Sequence, residues 1–380
     1  MNALSPLPEQ VCALCGTHSR LVASTLGVCG PCIRARPAEA LPLIREAHAR
    51  SRNEFAQPVT PPRTPGGKRC ALCVHECIIG EGELGYCGLR TVREGRLVHL
   101  AGTAERGLLH WYRDPLPTNC VAMWVCAGRG RYGMHNLAVF YGSCVLDCLF
   151  CQNWHYRDLL PDEDEVAYTQ KGDGAIAPSL QRRGMSARAL AAQANARTFC
   201  VCFFGGDPAS QMPHALAAAH LLAARGVAVC WETAGTANPR LMDKAIDLSL
   251  RSNGTVKFDL KAYDETLHIA LTGTSNRRTL ENFARAARRF HERPDPPLVV
   301  ASTLLVPGYV DAEEVHAIAR FIAQFSPHIP YALLGFAPNF FMPDLPTTSV
   351  RHAREALAAA QDAGLTNVRL GNVHLLGREY

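Results

Sequence analysis

From residue 136 onward the chain alternates short apolar runs with amphipathic segments. The runs fall at 137–141, 198–204, 227–233, 255–261, 298–306, 331–336 and 367–370, and each has the length of a strand. Between them, apolar positions recur at helical spacing over 186–197, 278–292 and 311–324, the last opening on Asp311 as an N-cap. Strand, helix, strand at this repeat predicts a parallel sheet with helices on its outer side. The expected fold is therefore α/β, a partial or near-complete (β/α) barrel. Such barrels collect their chemistry at the C-terminal ends of the strands, so unusual residues at those ends carry the most information.

Upstream the pattern differs. Helical spacing over 38–52 is followed by QPVTPPRTPGG, whose Pro and Gly density marks a linker. The chain divides accordingly into a four-cysteine module (1–36), a helix with a linker (37–66), a second cysteine-rich module (67–135) and a barrel domain (136–380).

Composition narrows the class. With 380 residues, 48% of them hydrophobic and 19% charged, the chain can bury a sizeable core. Its net charge of +5 is scattered rather than gathered in a tract, so nucleic acid is not indicated. The first ten residues are polar and Pro-containing, and no apolar run reaches bilayer-spanning length, so a cytoplasmic protein without membrane contact is expected. Sixteen cysteines in such a chain argue for metal or redox chemistry rather than disulfides. Thirteen of them lie at or before Cys151, whereas Cys200, Cys202 and Cys230 fall inside apolar runs and read as small buried hydrophobes.

The early cysteines form groups. Cys12, Cys15, Cys29 and Cys32 make two C-x2-C knuckles separated by thirteen residues, the spacing of a tetrathiolate site of zinc-ribbon or rubredoxin type. Zinc would make it structural or partner-binding; a single iron would make it a one-electron relay. Cys70, Cys73, Cys77 and the later Cys87 supply a second closed shell, fit for structural zinc or an auxiliary iron-sulfur cluster, with His75 as a spare ligand or a plain loop histidine. Cys120 and Cys126 cannot close a shell alone: they complete a neighbouring site, form a redox pair, or lie buried beside Trp124. Cys144, Cys148 and Cys151 sit at C-x3-C-x2-C spacing on one loop after an apolar run. Three thiolates leave a cubic cluster with one iron lacking a protein ligand, and that iron can bind a small molecule.

This last spacing resembles the radical S-adenosylmethionine (SAM) superfamily. The resemblance implies a [4Fe-4S] cluster whose open iron chelates SAM, and whose electron cleaves SAM to methionine and a 5′-deoxyadenosyl radical. Further motifs agree. FFGGDP at 203–208, with Gly205, Gly206 and Asp207, resembles the family's Gly-Gly-Glu-Pro motif, which receives the SAM amino group. Glu232 and Thr233 in WETAGT match the position that contacts the SAM ribose. The run from Asp259 through Asn276 to Asn282, and LLVPGY at 304–309, resemble the pyruvate formate-lyase activating enzyme branch, in which Asp259 and Lys261 would line the SAM and substrate pocket as catalytic groups. Where that branch carries a histidine in a Pro-Tyr-His stretch, this chain has Gly335, Phe336 and Ala337. From about residue 67 to the end, the Cys-x2-Cys-x3-Cys prelude and the CQNW cluster loop are similar to the radical SAM component of the AmmeMemoRadiSam group.

Three functions follow from these readings: a radical SAM enzyme acting on a peptide, protein or small molecule; an activase that installs a glycyl radical on a partner; or a non-catalytic metal-binding interaction protein. The first two imply a one-electron donor such as flavodoxin or ferredoxin. His155, His374 and Asn372 are minor candidates, the first for proton transfer and the others for closing the pocket.

Overall fold

A computed structural model of the chain describes residues 8–171, 176–378 and 380. Its centre is one eight-stranded sheet: Leu109–Pro115 (β1), His135–Tyr141 (β2), Thr198–Phe204 (β3), Ala228–Thr233 (β4), Val256–Asp259 (β5), Val299–Leu305 (β6), Tyr331–Gly335 (β7) and Val368–Gly371 (β8). The strands stand side by side in chain order, and every neighbouring pair from β2 to β8 is parallel. The β1/β2 pair is antiparallel, and β1 and β8 remain edges, so the barrel is partial.

The seven parallel strands are those the apolar runs predict, with ends shifted by at most a few residues. β1 was not expected. Its sequence, LHWYRDP, carries only two apolar positions besides Tyr and ends on proline, as an edge strand tolerates. It also draws residues 109–115 out of the second cysteine-rich stretch and into the main sheet.

Period-two alternation sorts the strand residues between two faces. Phe203 and Trp231 point outward, stacked at 4.7 Å, with the Trp231 indole donating to the Ala245 carbonyl of the helix Pro239–Arg251 at 3.1 Å. The inner face instead carries Cys200, Cys202, Cys230, Glu232 and Lys257, an unusual lining for a barrel core that normally holds branched apolar side chains. The helix Ala312–Ala323 begins as the sequence predicts, Asp311 accepting from the Glu314 amide at 3.0 Å. The segment predicted as helical at 186–197 is helical only over Ala187–Ala191, and that at 278–292 runs as Arg277–Ala287 with a short 3-10 turn after it.

The N-terminal module docks through Gly30–Ala35 (α1) and Pro37–Asn53 (α2). Tyr309, fully buried at the end of the β6 segment, accepts from the Ala23 amide at 2.9 Å and donates to the Val28 carbonyl at 3.1 Å. Gly30 permits close approach there, since a Cβ on it would stand 2.4 Å from the Gly308 carbonyl oxygen. On α2, His48, Ser51 and Arg52 share one buried face at helical spacing. Among the described residues no helix is long and apolar enough to cross a membrane.

Candidate functional site

The loop after β2 carries Cys144, Cys148 and Cys151, and the three thiols open on one pocket of about 140 Å³. The ends of β3, β4 and β5 supply its other walls: Gly205, Gly206 and Asp207; Glu232 and Thr233; Asp259 and Lys261. Motifs scattered over more than a hundred residues therefore meet at the C-terminal edge of the sheet. Burial pushes all three thiols up, that of Cys148 to about 12. Buried thiols of this kind become thiolates when a bound cation supplies the compensating charge, which is what an iron-sulfur cluster offers.

The glycines serve a local purpose. Both adopt left-handed backbone, with φ of +63° at Gly205 and +55° at Gly206. A Cβ on Gly205 would stand 1.9 Å from the Phe140 ring, and one on Gly206 would stand 2.2 Å from the Tyr141 carbonyl oxygen. They let the β3 end close upon the β2 end and the start of the cysteine loop, so the approach they permit is first of all between two stretches of the chain.

Asp207 is a clamp between strand ends. Its carboxylate accepts from the amides of Ala209 and Ala234, both at 2.8 Å, and from the Thr233 hydroxyl at 3.1 Å. Burial raises its carboxyl despite these bonds. Thr233 in turn accepts from the Gly235 amide at 3.0 Å. Glu232 reaches the Lys257 ammonium at 3.0 Å. Asp259 and Lys261 form an ion pair, and the second carboxylate oxygen of Asp259 is buried without a partner, a free acceptor facing a lysine-lined pocket. Burial opposes the Lys261 charge, and Asp259 with the nearby thiols more than restores it. Its ammonium also lies 5.4 Å from the centre of the Phe150 ring.

Sequence reasoning missed the residues that hold the cysteine loop. Asp147, between two of the cysteines and fully buried, accepts from Ser51 at 2.9 Å, from Arg157 at 2.5 Å, and lies 2.8 Å from His48. Burial would raise its carboxyl, but His48 and Arg157 hold it down at about 2. The far nitrogen of His48 lies 3.0 and 3.1 Å from the carbonyls of Ile269 and Ala270, so the ring bridges the cysteine loop and a neighbouring helix. Arg157 also donates to Gln57 at 3.1 Å and lies over Phe55 and Phe340. The only signal in the sequence was three polar residues on the apolar face of α2.

His75 is another positioning group rather than a spare ligand. Its Nε2 is 2.6 Å from the Val145 carbonyl and its ring packs on Tyr86 at 4.1 Å, tying the second cysteine module to the cysteine loop. Ser143 donates to the Cys87 carbonyl at 2.8 Å, a second tie. His155 stacks on Trp154 at 3.8 Å and is exposed. Asn372 and His374 border a separate cavity beside Trp124 and do not reach the pocket of the three thiols.

The accessory cysteines differ in spread. Among the described residues, Cys12, Cys15, Cys29 and Cys32 are the group whose ligand atoms all lie within 4.8 Å of one another, which suits a single tetrahedral ion. Cys70, Cys73, Cys77 and Cys87 are all buried, yet no three of their sulfurs approach so closely, nor do those of Cys144, Cys148 and Cys151. A polynuclear core is wider than one ion and takes wider-set thiolates.

Comparison with known proteins agrees with this geometry. The profile of the radical SAM superfamily matches residues 138–322. The isethionate sulfite-lyase activating enzyme of Oleidesulfovibrio alaskensis is 35% identical over 143 residues, 36% of this chain and 43% of that enzyme. A Methanocaldococcus jannaschii protein named as a glycyl-radical enzyme activating enzyme is 31% identical over 109 residues, 25% of this chain and 41% of that protein. The matches thus span less than half the length of these relatives. Among solved structures, a domain of pyruvate-formate lyase-activating enzyme from Bacteroides vulgatus aligns with 46% of this chain and 99% of its own at 20% identity and a TM-score of 0.33. The cysteine loop, the strand-end motifs and the matched profile together make residues 138–322 a radical SAM domain, related in sequence to activating enzymes.

Proposed function

We propose that this chain is a radical SAM enzyme that cleaves SAM reductively and abstracts hydrogen from a peptide, protein or small-molecule substrate at the mouth of the partial barrel. The observation that carries the reading is the convergence of Cys144, Cys148 and Cys151 with the ends of β3, β4 and β5 on one pocket. When bound, the [4Fe-4S] cluster and SAM supply the electron transfer and the 5′-deoxyadenosyl radical. The three cysteines hold the cluster, and the Asp147 network fixes their loop. Gly205, Gly206 and Asp207 shape the SAM amino-acid side, Glu232 and Thr233 the ribose side. Asp259 offers its unpartnered oxygen to the bound ligands, and Lys261 keeps a positive charge beside the thiolates. The buried walls keep water from the radical.

Cys12, Cys15, Cys29 and Cys32 hold one zinc ion, and Cys70, Cys73, Cys77 and Cys87 an auxiliary cluster. The chain divides into a metal site (1–36), a helix that braces the cysteine loop followed by a linker (37–66), an auxiliary site whose residues 109–115 join the main sheet (67–135), and the barrel (136–380). A flavodoxin or ferredoxin supplies the electron, and the protein works in the cytoplasm.

The test is anaerobic. Purified, iron-loaded protein with SAM and a strong reductant should yield 5′-deoxyadenosine, and a Cys144→Ala, Cys148→Ala, Cys151→Ala variant should yield none. Equal yield from both would sink the reading.

A second reading, activation of a glycyl radical partner, is favoured by the names of the relatives. Against it, the stretch where the activase branch carries Pro-Tyr-His reads Gly335, Phe336 and Ala337, so an alanine, with no group to donate or accept a proton, stands at the histidine position. An EPR doublet on a partner enzyme, dependent on this chain and SAM, would establish it.

A further inference from the structure

Five cysteines outside the three groups above meet inside the barrel. Cys200 and Cys202 face inward from β3, and Cys230 faces inward from β4, directly opposite Cys202 in the strand register. Cys120 and Cys126 come from the loop that follows β1 and crosses beneath these strands. All five line one cavity of about 450 Å³.

Cys200 and Cys230 pack on one side against Leu116, Ala228 and Met123, as small apolar side chains do. On the cavity side the neighbours are charged. Lys257, 2% exposed, points its ammonium at the sulfurs of Cys120 and Cys202, each at 3.0 Å, and at Glu232. Burying an ammonium is costly unless anions surround it, and a neutral thiol is a weak acceptor. Glu232 provides one negative charge; the two sulfurs supply more when they are thiolates.

The spread of the thiols decides the kind of ligand. No three of the five sulfurs lie within 4.8 Å of one another, unlike the four of the N-terminal site, so a single tetrahedral ion is not prepared for. The wider setting is shared with the cysteine loop at the strand ends. Phe204 and Glu232 line both this cavity and the pocket of that loop, so whatever occupies the chamber adjoins the reaction space.

We propose that the chamber is a further iron-sulfur site, in which a polynuclear cluster is ligated from the set Cys120, Cys126, Cys200, Cys202 and Cys230, with Lys257 as its counter-charge. A cluster bound by thiolates is a net anion, and a buried lysine beside it is then paired on every side. The Cys120 and Cys126 pair, which cannot close a shell alone, finds its missing ligands on β3 and β4. The assignment is independent of the radical chemistry proposed for the strand-end pocket.

Two complementary variants of the full chain test it, each loaded anaerobically with ferrous iron and sulfide and assayed for iron, sulfide and zinc. Cys120→Ser with Cys126→Ser and Cys230→Ser should lose about four irons per chain relative to the natural sequence. The converse protein, with Cys70, Cys73, Cys77, Cys144, Cys148 and Cys151 all changed to Ala, should retain about four. Unchanged iron in the first, or none in a folded preparation of the second, overturns the site; zinc in place of iron overturns the cluster. Should one variant fail to fold, the other decides. Lys257→Met in the second background adds a signature that mere folding would not move: the remaining cluster should stay bound and shift to a more negative reduction potential. A potential that does not move removes Lys257 from the site.

Discussion

Nδ1 of His48, on a helix some hundred residues upstream, stands 2.8 Å from the carboxylate of Asp147 inside the cysteine loop. The N-terminal region therefore does more than carry its own metal site: it supports the loop that would hold the reactive cluster. Arg157 completes the arrangement from the other side, with its side chain wholly buried.

Replacing His48 with Ala leaves a buried carboxylate short of one partner while Arg157 and Ser51 remain. The expected loss is about 1–3 kcal/mol, the usual cost of an unsatisfied buried group. A lower urea midpoint with unchanged slope would show it. Asp147→Asn should cost more, about 3–5 kcal/mol, because it strands a buried guanidinium. Equal stability of all three proteins would contradict the network's role.

Gly206→Ala should cut 5′-deoxyadenosine formation by at least about tenfold, because its methyl group would press on the Tyr141 and Ser143 carbonyl oxygens at 2.2 and 2.4 Å and displace the start of the cysteine loop. Gly133→Ala provides the control, since it shares a positive φ of +79° but has nothing within 4 Å. That variant should lose only the backbone term of about 1–2 kcal/mol and keep its rate.

Four histidines whose rings burial lowers to about 4, His75, His99, His214 and His268, predict an acid-sensitive fold. Burial lowers the rings of His214 and His268 from 6.5 to about 4. His214 accepts from Tyr141 and donates to the Met185 carbonyl, both at 2.9 Å, so it is held neutral. Below the unfolded value the denatured chain takes up protons that the native chain refuses. Their contribution is complete above pH 6.5 and drains away as pH falls toward 4, by roughly 3 kcal/mol for each ring. Urea titrations at a series of pH values should show this decline, and His214→Gln should flatten it by about a quarter, since His75 and His99 are lowered in the same way.

The N-terminal metal should be separable from the others. Cys12→Ser with Cys32→Ser should remove one zinc per chain and leave iron unchanged, while freeing residues 8–36 to trypsin as the contacts to Tyr309 loosen. Metal analysis and the cleavage map check both halves of this expectation. A variant that loses iron instead would assign the ion differently.

Periodicity determined the parallel strands, because a run such as VVASTLL is apolar on both faces and has few other places to go. Local spacing likewise exposed the N-terminal knuckles and the cysteine loop, since chelating ligands close in sequence need only a tight turn to meet. The edge strand Leu109–Pro115 was hidden because a half-solvated edge carries a mixed pattern. His48, Ser51, Asp147 and Arg157 could not be linked from sequence at all: their partnership depends on α2 packing beside the loop, a contact between segments about a hundred residues apart. The inward cysteines of β3 and β4 looked like ordinary apolar positions for the same reason. Alternation tells which residues share a face, but only sheet closure and the loop beneath decide that this face encloses a buried lysine and open space.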